Sequence, residues 1–162
     1  MNPVLTNIIQ GIQQHCPEQD KHDLSKIILA GKKILFDPNF HKNMELVKNP
    51  ASRQQPVQTI ATGVTGLMYL MYVHSGKTLK PTPLILAGCV LMCDVMDFAE
   101  KSYGIQINPQ MVADTWKLTM HLTMQKLGVS ESDIEAAIQK GAGEIQAANQ
   151  QPQQAGIMGV RQ

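Results

Sequence analysis

The chain has 162 residues, enough for one domain with a sizeable core and too few for two independent domains of ordinary size. Hydrophobic residues reach 43%, but charged residues only 17% and aromatics 4%, so the surface draws its polarity from amides and hydroxyls more than from charge. Fourteen basic against thirteen acidic side chains give a net charge of +1, which argues against specific nucleic-acid recognition by overall electrostatics.

Apolar periodicity is helical throughout, and no stretch shows the alternation and turn pairing of a sheet. An all-α fold of about six to seven helices around a central apolar helical hairpin, with an extended C-terminal tail, is therefore predicted. The first helix, from Pro3 to about Cys16, puts Val4, Ile8, Ile9 and Ile12 on one face and stops before Pro17. A second is expected from Asp20 to Asp23 onward, carrying Leu24, Ile27, Ile28, Ile34, Leu35 and Phe36 to the Asp37-Pro38 break. Pro38 then opens a short third helix through Phe40, Met44, Leu46 and Val47. Residues 1–48 form an N-terminal helical region on this reading.

Residues 49–56, NPASRQQP, have the composition of a linker. A helical core over 57–148 follows. From Gln54 to Gly76 there is no Lys, Arg, Asp or Glu, and the run IATGVTGLMYLMYV from Ile60 to Val73 is apolar around most of its circumference. SGKTLKPTP makes a turn, and a second apolar helix starts at Pro83, with Asp94 its first charge. The two form an apolar hairpin over 57–98, in which Ile60, Val64, Leu67, Met68, Met71, Leu84 and Leu86 are the candidate interface or membrane residues.

As a membrane element the hairpin is short. Its first arm offers seventeen residues from Val57 to Val73, diluted by Gln58, Gly63, Gly66 and threonines, against the roughly 20 that a span needs. A buried core hairpin or a subunit interface is the simpler reading. Gly63 and Gly66, with Ala61 and Thr65, nevertheless supply small residues of the kind that let helices approach closely in lipid.

A further helix runs from the Asn108-Pro109 cap to about Leu127, mixing Met111, Trp116, Leu118, Met120 and Leu122 with Lys117, His121 and Lys126. The last begins at Ser130 in SESD and carries a narrow stripe of Ile134, Ala137, Ile138, Gly141, Ile145 and Ala148. Residues 149–162, NQQPQQAGIMGVRQ, form a Gln-rich tail ending in an apolar hook. Alone in water it could not bury enough surface to offset its conformational entropy. A partner surface would order it: Ile157, Met158 and Val160 filling an apolar groove, and Arg161 meeting a carboxylate at the rim.

No constellation for catalysis is legible. The glycine pairs Gly63/Gly66 and Gly141/Gly143 lack the strand and the Lys-Ser/Thr of a phosphate loop, and no zinc-binding His-Glu-x-x-His occurs. Cys16 and His15 are adjacent and diverge on a helix, so they do not pair as nucleophile and base. The three cysteines, Cys16, Cys89 and Cys93, match no disulfide framework and no signal peptide opens the sequence, so a reducing cytoplasm is the expected place of synthesis. Cys89 and Cys93 have no second pair of ligands, so no metal and no cofactor is expected and the thiols are read as core packing. Asp94 and Asp97, three apart, read either as a paired-carboxylate site or, more simply, as an Asp97–Lys101 ion pair beside a helix leaving the core. Trp116 is a candidate interface hot spot, though core packing is the commoner use of a tryptophan.

Two stretches, AGKKILFDPNFHKNMELV at 30–47 and QQPQQAGIMGVRQ at 150–162, resemble small helical virion proteins of short-tailed bacteriophages, the internal or ejection proteins and portal-proximal ring proteins. The resemblance covers about a third of the chain and carries over no catalytic residue. It implies a non-enzymatic structural or assembly protein, made in the host cytoplasm and located in the virion. Its partners would be other copies of itself in a homo-oligomer, a portal or fellow ejection proteins, and the host membrane on ejection. The alternative is a soluble, low-order helical scaffold or chaperone-like binding protein.

Overall fold

The structure, a computed structural model, describes residues 1–37, 54–130 and 132. Among them are five helices and no strand: α1 (Pro3–His15), α2 (Glu18–Phe36), α3 (Pro56–His74), α4 (Pro81–Tyr103) and α5 (Pro109–Lys126). The all-α expectation holds for these residues. The helix expected from Pro38, most of the 49–56 linker, the helix after Ser130 and the tail with Ile157, Met158, Val160 and Arg161 lie outside the described residues.

Proline sets the start of every helix. It occupies the first helical positions of α1, α3, α4 and α5, where its missing N–H costs no hydrogen bond, and Pro17 caps α2. Asn2 and Asn108 add a side-chain cap at α1 and α5: Asn2 Oδ1 accepts from the Val4 N–H at 3.0 Å and Asn108 Oδ1 from the Met111 N–H at 2.9 Å. Two helices begin earlier than their apolar patterns suggested, α2 at Glu18 and α4 at Pro81. The reason is the same in both, because a proline fixes the entry geometry before the first apolar residue appears. Gly104, at φ +68°, ends α4 in the left-handed conformation and returns its N–H to the Glu100 carbonyl at 3.0 Å.

Residues Met1–Gly128 form one compact unit, so the two N-terminal helices share a core with the hairpin. α4 is its axis and touches all four other helices; α2 lies along one side of it, α1 along another, and α3 packs chiefly on α5. Leu84, Ala87, Leu91, Met92, Cys93, Met96 and Ala99 of α4 are almost wholly enclosed, which explains why its sequence is apolar around most of its circumference. Two close approaches make this possible. A Cβ at Gly31 of α2 would collide with the Leu91 side chain, and one at Gly88 of α4 with Met68 of α3. Gly63 and Gly66, the glycines the sequence pattern offered for close contact, have nothing within 4 Å of such a Cβ.

Candidate functional site

The polar groups inside the unit tie helices together. Lys80, at the start of α4, stands 3.4 Å from both Asp20 and Asp23 on α2, and these carboxylates hold its ammonium above the usual lysine range through hydrogen bonds. Further along the same pair of helices, Lys32 Nζ lies 3.1 Å from Asp94 Oδ2 and donates to Oδ1 at 3.4 Å. Asp94 does not emerge from the core: its side chain is only 10% exposed. Burial raises its carboxyl above the ordinary value, Lys32 opposes that shift, and the nearby charge of Asp97 adds to it. Asp97 pairs with Lys101 at 2.7 Å, the simpler of the two sequence readings. At α1, Asn2 Nδ2 donates to Glu100 Oε1 at 2.8 Å while the same side chain caps its own helix.

The α3–α5 seam is built from threonines. Thr65, Thr115, Thr119 and Thr123 are all buried. Thr115 and Thr119 donate to the carbonyls of Met111 and Thr115 one turn back, each at 2.7 Å, so their hydroxyls are satisfied within α5. Thr65 crosses the seam, donating to the Thr119 carbonyl at 3.3 Å, and Thr123 donates back to the Thr65 hydroxyl at 3.5 Å. Small side chains that quench their own polarity face inward there. The larger apolar residues of α5, Met111, Trp116, Leu118, Met120 and Leu122, are therefore left half-exposed on its flanks.

Three concavities lie among the described residues of this unit's helices. The largest of these three, about 560 Å³, lies between α1, α4 and α5 on a floor of Val4, Ile8, Cys89, Met92 and Val112, with Trp116 in one wall and Asn7 and Ala113 at the rim. None of the described residues in its lining carries a charge. A second, about 380 Å³ between α2 and α3, is lined by Ile27, Ile34 and Met71 but also by Lys26 and His74. A third, about 360 Å³, lies beside the threonine seam and includes Lys126, whose ammonium sits 5.4 Å from the centre of the Tyr69 ring.

Of the residues singled out in the hairpin, Ile60, Val64, Leu67, Met68, Met71 and Leu84 are buried in the core and Leu86 is half-buried against it. α4 is long and apolar enough to cross a membrane by length and composition, its most apolar 18 residues having a mean hydropathy of 1.7, yet 67% of that stretch is buried inside the protein. Cys89 and Cys93 face each other one turn apart, both buried; the hydrogen bond between them and then burial push the Cys89 thiol far up. Among the described residues no three His, Cys, Asp or Glu side chains converge as a metal site requires. The threonine seam and the Lys32–Asp94 pair escaped the sequence reading, although Thr115, Thr119 and Thr123 recur at helical spacing and could have been read as one face.

Compared with protein-family models, with curated proteins and with solved structures, the chain matches none.

Proposed function

We propose that this protein is a non-enzymatic structural or assembly component of a virion, an internal protein that forms homo-oligomers and whose C-terminal tail docks on a neighbouring subunit or partner. The observation that carries the reading is the uncharged groove between α1, α4 and α5, open to solvent beside the sole tryptophan, Trp116. Apolar, concave surface with an aromatic wall suits the capture of an apolar segment. The buried acids and lysines, in contrast, are engaged in holding α2 to α4. The resemblance of residues 30–47 and 150–162 to phage virion proteins supports the setting, and the low charge of the chain suits packing of many copies, since like-charge repulsion accumulates with copy number.

The burial of α4 supports a core role for the hairpin, because entry into lipid would strip it from four other helices at once. The test is the molar mass in solution, by light scattering behind size exclusion, of the full chain and of a version cut after Ala148. A multimer that collapses to monomer on truncation is the expected result. A monomer in both cases sinks self-assembly through the tail.

A further inference from the structure

We infer that the groove between α1, α4 and α5 is the receptor for the apolar hook Ile157-Met158-Gly159-Val160 of a second copy of this chain. The inference rests on the assembly reading above and assigns its docking surface. Three arguments select the groove. The first is charge. Arg161 follows Val160 directly, so a hook seated in the α2–α3 cavity would bring a cation to Lys26, and one beside the threonine seam to Lys126. Of these three concavities, only the α1–α4–α5 groove has no basic side chain among the described residues of its lining.

The second argument is chemistry. Val4, Ile8, Met92 and Val112 offer aliphatic and thioether surface, and Trp116 a flat wall. Ile157, Met158 and Val160 present the same kinds of group with no polar atom to satisfy, while Gly159 removes bulk where backbone must come near. The third is reach. Twenty-eight residues lie between Gly128 and Ile157, spanning about 42 Å if helical and up to about 95 Å if extended. Even the shorter figure exceeds the radius of gyration of about 14 Å for a unit of this size, so the hook can leave its own unit and seat on another.

The experiment uses the full chain and its only tryptophan as reporter. Trp116 emission is recorded across concentration for the wild type, for Met158→Asp and for Ala113→Lys, which puts a cation at the exposed rim, against the arriving Arg161, without touching the core. In parallel, copies carrying Ala113→Cys are mixed with copies carrying Met158→Cys, with oxidised glutathione as oxidant. Cys16 and Cys93 are buried and outside the groove lining, and Cys89, which lines its floor, is changed to Ala in both kinds of copy so that it does not compete. The expected result is a blue shift of wild-type emission with concentration, lost in both charged variants, and a disulfide between the two kinds of copy. Emission that ignores all three changes, with no cross-link, overturns the assignment. A cross-link that forms only when both cysteines are on one chain, at high dilution, overturns the second-copy occupant. Molar mass separates the two readings: a wild-type multimer that persists in Ala113→Lys but collapses on cutting after Ala148 removes this groove and leaves the tail as strap, whereas a monomeric wild type removes both.

Discussion

Lys32 on α2 reaches Asp94 on α4 at 3.1 Å, and this pair joins two helices that share no nearby sequence. Its consequence for stability follows from which member is buried. The lysine side chain is 42% exposed and can return to water, whereas the aspartate is enclosed. Lys32→Ala leaves a buried carboxylate without its cation, and a loss of about 1–2 kcal/mol at neutral pH is expected in urea unfolding. Part of that loss is recovered in acid, where Asp94 takes up a proton.

The same residue sets a pH dependence. Asp94 is raised in the folded state above its ordinary value of 3.8, burial outweighing Lys32. The folded protein thus holds this proton more tightly than the unfolded chain does. Its contribution is complete below that ordinary value and is lost as pH rises through the folded one. Asp94→Asn removes the titration. The difference in stability, wild type minus Asp94→Asn, is expected to fall as pH is raised from about 4 toward neutrality, and a flat difference would contradict the burial of this carboxylate.

Gly88 and Met68 meet at the α3–α4 crossing with no room for a side chain at residue 88. Gly88→Val is expected to destabilise by about 1–3 kcal/mol through overpacking. Met68→Ala in the same chain opens space for the new methyls, so the double variant should be less unstable than the sum of the singles. Strict additivity would mean that the two residues do not touch.

The threonine seam separates the Thr115 and Thr119 hydroxyls, which serve their own helix, from those of Thr65 and Thr123, which bridge two. Thr119→Val deletes a donor whose carbonyl acceptor is already in the α5 ladder, and should change stability by less than about 1 kcal/mol. Thr65→Val removes the bond to the Thr119 carbonyl and the acceptor for Thr123, and should cost about 1–2 kcal/mol. Equal costs in chemical denaturation would refute the distinction.

All three thiols are buried and that of Cys89 is pushed far up. Reaction with a chromogenic disulfide reagent at pH 8 is therefore expected to proceed at the rate of structural opening, and at once in denaturant. Fast labelling of Cys89 in the native protein would mean that the groove floor opens much further than its 8% exposure suggests.

Much of this protein was legible before its structure. The Asn-Pro pairs at 2–3 and 108–109 are local signals of helix starts, whereas Pro56 and Pro81, read as linker and turn, open α3 and α4 by the same local geometry. The all-helical class, the apolar α3–α4 hairpin and the Asp97–Lys101 pair likewise follow from period and spacing along one helix. What sequence by itself could not determine is which faces meet. Gly63 and Gly66 promise a close approach and face open space, while Gly31 and Gly88 provide it. Threonines, not the larger apolar residues of α5, turn inward. Lys32 finds Asp94 across 62 positions. The uncharged groove exists only where Ile8, Met92 and Trp116 from three helices converge. Periodicity fixes a helix and its faces through bonds four residues long, but the partner of each face is chosen by packing among distant segments, and that choice is made only in the tertiary structure.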